Sequence, residues 1–343
     1  EKHAMSSFSL ATSFTPLSAL AGGLLLGAVS TANLYLNGHI TGVSGLLHGL
    51  LGADANWRYR LAFVGGLVGG GVLLSQSSSL LGSRPPALSH LAYILSGLLV
   101  GYGTVMGSGC TSGHGVCGLP RLSPRSFVAV MTFMSTGAAT NAIIKNVPFI
   151  NQLVFTSDGA SWSSGFVPNG QAIVSLFAVA SLAASLVSQF SVPAGGATTT
   201  PEVFSAAGFG ALFAVAMGLS GMVQQDKVMD FLWPGVRGWD PSLMFVMGGA
   251  VGVNIVTFNM ILRGGGKPVF REKFNVPTRR DINAELVCGA AMFGIGWGLG
   301  GICPAPGLVN LATGRQAFFV WTACLCAGMY LRKVTNTPKV HSK

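Results

Sequence analysis

The chain has 343 residues, 50% of them hydrophobic and 9% charged, with a mean hydropathy of +0.58. Soluble domains carry about a quarter charged residues, so water is excluded as the main solvent of this chain. The formal net charge of +10 does not imply a nucleic-acid partner, because the 20 Lys and Arg fall in short loops between apolar runs rather than along one face.

Residues 1–7 carry neither a charged stretch feeding a cleavable apolar segment nor a small-residue cleavage site, so 1–16 is taken as an N-terminal extension. A helix needs roughly 20 apolar residues to cross the hydrocarbon core. Runs near that length occur at 17–36, 59–80, 88–106, 126–144, 171–190, 203–223, 241–262, 284–302 and 316–331, which predicts nine spans. Two shorter apolar stretches, 40–51 and 228–236, are interrupted by Gly or Pro and predict re-entrant segments. Short, kinked pieces also follow Cys110 and Cys303. Non-helical backbone at membrane depth survives only against protein or a water-filled cavity, so these four pieces predict a central cavity.

The chain repeats itself. At an offset of 193, Gly101-Tyr102-Gly103 with Gly107 and Cys110 superimposes on Gly294-Ile295-Gly296 with Gly300 and Cys303. At an offset of 182, Trp57, Leu61, Phe63, Val64, Gly66 and Gly70 match Trp239, Leu243, Phe245, Val246, Gly248 and Gly252. The organisation is then an extension (1–16), a first repeat of four spans (17–145), a linking region with the fifth span (146–202), a second repeat (203–331) and a tail (332–343). An odd linking span inverts the second repeat, and inverted repeats with broken helices are a transporter scaffold. The fold class is therefore an all-α integral membrane protein with about nine transmembrane helices and two inverted-topology repeats around a central path.

Counting basic residues by side gives six on the N-terminal side (Lys2, Arg84, Lys145, Lys227, Arg237 and Arg315) and fourteen on the other. The positive-inside rule then puts the C-terminus in the cytoplasm and the N-terminus outside, in a plasma or inner membrane.

No acid lies in the middle of a predicted span, which favours an anionic or neutral substrate over a cation-coupled carboxylate site. Cys110 sits in Gly107-Ser108-Gly109-Cys110-Thr111-Ser112-Gly113-His114-Gly115, where glycines let the backbone turn and expose amides. Cys303 sits in Gly300-Gly301-Ile302-Cys303-Pro304-Ala305-Pro306-Gly307, where two prolines stop the helix. Helices that begin after such breaks offer partial positive charge to an anion. A thiol is polarizable and a weak donor, suited to a soft sulfur atom. Gly109, Thr111, Ser112, His114 and Pro304 flank the two cysteines and join them as candidate substrate contacts, with Cys117 and His39 as secondary candidates. Cys288, Cys324 and Cys326 fall within spans and read as packing residues. Cys110, His114 and Cys117 offer only three ligands for a metal, so no metal and no cofactor is expected.

At these residues the sequence resembles the YeeE/YedE family of sulfur transport proteins, whose characterised members take up thiosulfate. The resemblance runs from about 22 to 331. It is most specific at Asn37-Gly38-His39-Ile40-Thr41-Gly42-Val43-Ser44-Gly45, at Gly109-Cys110-Thr111-Ser112-Gly113-His114-Gly115 with Arg121-Leu122-Ser123-Pro124-Arg125-Ser126, and at Phe293-Gly294-Ile295-Gly296-Trp297-Gly298-Leu299-Gly300-Gly301-Ile302-Cys303-Pro304. It implies an hourglass-shaped helical protein whose central cysteines contact the sulfane end of thiosulfate, and those cysteines fall on Cys110 and Cys303. A further cysteine of bacterial members near the first re-entrant loop has no counterpart, since 17–58 contains no Cys. The function expected is thiosulfate uptake through the bilayer by a protein that is not an enzyme. The alternatives are transport of a related sulfur or selenium compound, or a membrane sulfurtransferase passing a cysteine persulfide to a cytoplasmic sulfur-accepting protein.

Overall fold

A computed structural model describes residues 10–52, 55–76, 86–155, 165–187, 198–235 and 238–336. The far ends of the expected spans 59–80 and 171–190 lie outside the described residues. So do most of the 1–16 extension, most of the tail, and Lys2, Arg84, Arg237, Lys339 and Lys343 from the orientation count.

Among the described residues thirteen α-helices follow one another: α1 (Pro16–Asn37), α2 (Val43–Leu51), α3 (Trp57–Ser75), α4 (His90–Met106), α5 (Pro124–Asn146), α6 (Pro148–Val154), α7 (Gly170–Val187), α8 (Thr200–Ser220), α9 (Gln225–Phe231), α10 (Ser242–Arg263), α11 (Ala284–Gly300), α12 (Pro304–Asn310) and α13 (Gln316–Thr335). A π-helix, Thr111–Gly118, follows α4, and a 3-10 turn, Leu311–Thr313, follows α12. Among the described residues there is no strand, only isolated bridges such as His39 with Asn275.

The long helices occupy the positions of the predicted apolar runs. Among the described residues seven spans are long and apolar enough to cross a membrane, one of them running from α11 through the 3-10 turn (Ala284–Thr313), or eight if α4 and the π-helix, bent by 46°, count as one broken span. Helix α3 falls outside that set because Arg58 and Arg60 in its first turn dilute its apolar character. The four short pieces α2, the π-helix, α9 and α12 stand where re-entrant segments were expected, with α9 beginning three residues before the predicted 228. Helix α6 was not foreseen, since its seven residues give too short a period to read.

The helix ends have local causes. Pro16 opens α1 at its first turn, and Gly38, at φ +68°, closes it with an N–H to the Leu34 carbonyl. Thr199 and Glu202 form a reciprocal capping box at the start of α8. Broken helices leave bare carbonyls, and buried amide side chains on other elements satisfy them. Asn254 Nδ2 donates to Val116 O at 2.8 Å, Asn310 Nδ2 to Val223 O at 2.8 Å, Gln225 Nε2 to Gly300 O at 2.6 Å, and Asn141 Nδ2 to Met229 O.

Packing runs across the two halves. Helix α1 packs on α10 and α8, α3 on α8 and α7, α4 on α13 and α11, and α5 on α11. Small residues bring these backbones together. A Cβ at Gly103 would meet Phe293 N at 2.4 Å and Gly289 O at 2.7 Å, and one at Gly296 would meet Val100 N and Ser96 O at 2.9 Å. Each partner, like the glycine itself, is displaced by 193 residues between the two contacts.

Candidate functional site

Helix α4 ends as Gly107 N–H reaches back to Gly103 O, and Ser108 then turns with φ +62°. Cys110 is extended and caps the π-helix, whose wide turns close through His114 O accepting from Leu119 N–H at 2.9 Å. In the other half, Gly301 ends α11 at φ +66° with its N–H on Trp297 O. Cys303 is the extended residue before α12, and Pro304 supplies the first helical position.

The two cysteine segments meet. Thr111 Oγ1 donates to Cys303 Sγ at 3.4 Å, and Cys110 Sγ lies 3.2 Å from Ser112 Oγ. Ser112 Oγ also accepts from Val43 N–H, the first amide of α2, at 3.2 Å. Three broken segments thus join in one layer, in which Cys110 is 1% exposed and Cys303 4%. Cys117 is fully buried and donates from Sγ to Thr41 O at 3.6 Å, so it ties the π-helix to the loop before α2.

His114 is engaged on both ring nitrogens. Nε2 lies 3.1 Å from Gly107 O, and a carbonyl only accepts, so Nε2 carries the proton. Nδ1 then accepts from Ser126 Oγ at 3.1 Å. The neutral ring braces the Cys110 turn, and a Cβ at Gly109 would strike it at 2.7 Å. Among the described residues no cluster of three or more His, Cys, Asp and Glu is placed to hold a metal ion.

In place of one cysteine-lined central cavity, two separate cavities adjoin the cysteine segments, and neither Cys110 nor Cys303 lines either. The larger, about 340 Å³, is bounded by His39, Tyr59, Gly109 and His114 and by Arg60, Arg121, Arg125 and Arg279. The smaller, about 20 Å³, lies against Thr111, Ser112, Ala305 and Pro306 with an apolar wall that includes Met217, Met222 and Met247. The joined segments border both, with Gly109 and His114 on the larger and Thr111 and Ser112 on the smaller.

His39 lies in the larger cavity, not at the thiols. Its Nδ1 accepts from Asn275 Nδ2 at 3.4 Å, its ring stacks on Tyr59 at 4.4 Å, and its Nε2 lies 3.8 Å from Glu202 Oε1. Burial first, then Arg271 and Arg60, hold its pKa down to about 3, so it is neutral. Glu202, 1% exposed, accepts from Arg271 Nε at 2.6 Å.

The four arginines are what the sequence reading missed as a group. They had been assigned to topology, yet Arg121 and Arg125 follow the π-helix directly, and that proximity to Cys110 was the available signal. Asp281 carries the hydrogen bonds from Arg279, which hold its carboxyl below the ordinary range, and it also pairs with Arg125.

The family model described as sulphur transport matches residues 2–140, and a family of unknown function (DUF6691) matches 202–341. Two proteins of Xylella fastidiosa (strain Temecula1 / ATCC 700964), each named a probable transporter, are similar to this chain. One is 45% identical over 121 residues, which are 35% of this chain and 89% of the relative. The other is 36% identical over 122 residues, 36% of this chain and 82% of the relative. A probable transporter of strain 9a5c is 44% identical over 121 residues, 35% of this chain and 89% of the relative.

Proposed function

Because the chain belongs to the YeeE/YedE sulphur transport family, we propose that it is a thiosulfate permease whose substrate passes between the thiols of Cys110 and Cys303. The observation that carries this reading is the hydrogen bond from Thr111 to Cys303 Sγ, which joins the two cysteine-bearing breaks in one layer. A dianion arriving there meets the soft thiols of Cys110 and Cys303 and the hydroxyls of Thr111 and Ser112. Gly109, His114 and Pro304 shape the two turns that present them, and Cys117 keeps the π-helix on the first re-entrant loop. No full charge of the protein enters the layer, so the ion is held weakly enough to leave.

The transporter is read as nine-pass with inverted repeats. The helix pairing supports this: exchanging α1, α3, α4 and α5 for α8, α10, α11 and α13 turns α1 on α10 into α8 on α3, and α4 on α13 into α11 on α5. The N-terminus is read as outside and the C-terminus as cytoplasmic, in the plasma or inner membrane, with a cytoplasmic sulfur acceptor downstream.

Uptake of thiosulfate labelled separately on its two sulfur atoms, into vesicles holding the full chain, tests this. Both labels should enter together, and Cys110→Ala or Cys303→Ala should lower the rate at least tenfold. Full-rate uptake by either variant would overturn the thiol path. Sulfite left outside while sulfane label enters would instead mean group transfer through a persulfide.

A further inference from the structure

The cavity of about 340 Å³ has a chemistry of its own. Arg121 reaches it from the loop after the π-helix, Arg125 from the first turn of α5, Arg279 from the loop before α11 and Arg60 from the first turn of α3. No carboxylate is among its described lining side chains. Arg121 Nη2 donates to Pro277 O at 2.5 Å, a neutral acceptor, and Arg60 Nη1 donates to Gly45 O at 2.5 Å. Planar, permanently charged guanidinium forks match tetrahedral oxyanions in pairs. At ~30 Å³ for each water, the space holds a small oxyanion with part of its hydration shell.

We propose that this vestibule is a second anion site, which reads the oxyanion charge and is indifferent to a sulfane sulfur. Sulfate or sulfite occupies it as readily as thiosulfate and competes with thiosulfate there. The inference rests on the transport reading above, and it gives the two places different tasks. The cysteine layer takes only the dianion with a soft sulfur, and the vestibule, on the basic side that the orientation reading makes cytoplasmic, receives it by its oxyanion charge alone.

The same groups link the vestibule to the cysteines. Arg125 Nη2 donates to Ser108 Oγ at 3.3 Å, and Ser108 makes the left-handed turn two residues before Cys110. Arg125 Nη1 donates to Asp281 O at 2.6 Å and to its Oδ2 at 3.3 Å, while Arg279 Nη2 holds Oδ2 at 2.7 Å. An entering dianion competes with the Asp281 carboxylate for both guanidinium groups. Occupancy is thereby felt at the turn that carries Cys110.

The test is calorimetric titration of sulfate, which has no sulfane sulfur, into the full chain held in nanodiscs of neutral lipid. Wild type and the Cys110→Ala/Cys303→Ala variant should bind sulfate with equal affinity, weakening as chloride is raised. Arg121→Gln/Arg279→Gln should weaken sulfate at least tenfold with an unchanged melting midpoint, and Arg121→Lys/Arg279→Lys should recover most of it. The proposal is overturned if folded wild type takes up no sulfate, or if the cysteine variant loses the site while the Gln variant keeps it. Loss of sulfate binding on adding an anionic phospholipid would name a lipid headgroup as the occupant and also overturn it. Full-rate thiosulfate uptake by the cysteine variant sinks the thiol path alone, since sulfate binding is read independently.

Discussion

Replacing Gly301 with alanine tests whether the backbone before Cys303 is held by sterics. Gly301 has φ +66°, a conformation that costs an L residue about 1–2 kcal/mol. Its Cβ would stand 2.8 Å from Gln225 O and 2.9 Å from Met229 Cγ. Methionine can yield but a carbonyl in α9 cannot easily do so, and overpacking of this kind adds about 1–3 kcal/mol. A stiffer unfolded chain offsets about 0.4–1 kcal/mol. The net loss is about 1–5 kcal/mol. The control is Gly208→Ala, in the middle of α8, where a Cβ meets nothing within 4 Å. There alanine should stabilise by about 0.5–1 kcal/mol, because glycine inside a helix is entropically unfavourable. Thermal unfolding of the two purified variants should therefore move in opposite directions from wild type. A Gly301→Ala protein that melts at or above the wild-type midpoint would refute the reasoning.

Glu202→Gln should cost about 3–5 kcal/mol, toward the lower end because Arg271 keeps 19% of its side chain exposed and is not fully stranded. Chemical denaturation in detergent checks it, and an unchanged midpoint would mean the pair is incidental. His39 predicts a pH effect. Its pKa falls from 6.5 to about 3 on folding, so below pH 6.5 the unfolded chain takes up a proton that the folded one refuses. Wild type should lose about 1.4 kcal/mol per pH unit from this group as pH drops from 6.5 to 5, and His39→Gln should be spared that share. Parallel slopes for the two proteins would show that folded His39 takes up its proton as readily as the unfolded chain does and would refute the depressed pKa.

The membrane architecture was legible because apolar length is a one-dimensional quantity. The runs at 17–36 and 241–262 became α1 and α10 within a residue or two. Cys303 was legible for the same reason, since Pro304 and Pro306 forbid continuation of α11 wherever they stand. The π winding after Cys110 was not, because Thr111–Gly118 offers many glycines and no period. Nor was the meeting of Thr111 and Ser112 with Cys303 and Val43, which come from distant parts of the chain. The arginine vestibule escaped because a loop arginine signals membrane orientation and ligand charge in the same letter. Only the convergence of Arg121, Arg125 and Arg279 separates the two meanings.

The cross-half pairing of the long helices has a consequence for how the protein is made. Helix α1 finds its neighbours in α8 and α10, and α4 finds its in α11 and α13, all of which leave the ribosome later. The early helices must wait in the bilayer with their glycine faces against lipid, and assembly begins only once the later ones arrive. A chain stopped after 187 should insert into the membrane yet yield no compact species on size exclusion, whereas adding the missing half as a separate polypeptide should restore one. In this molecule the helices of the second half are a condition for those of the first to be packed.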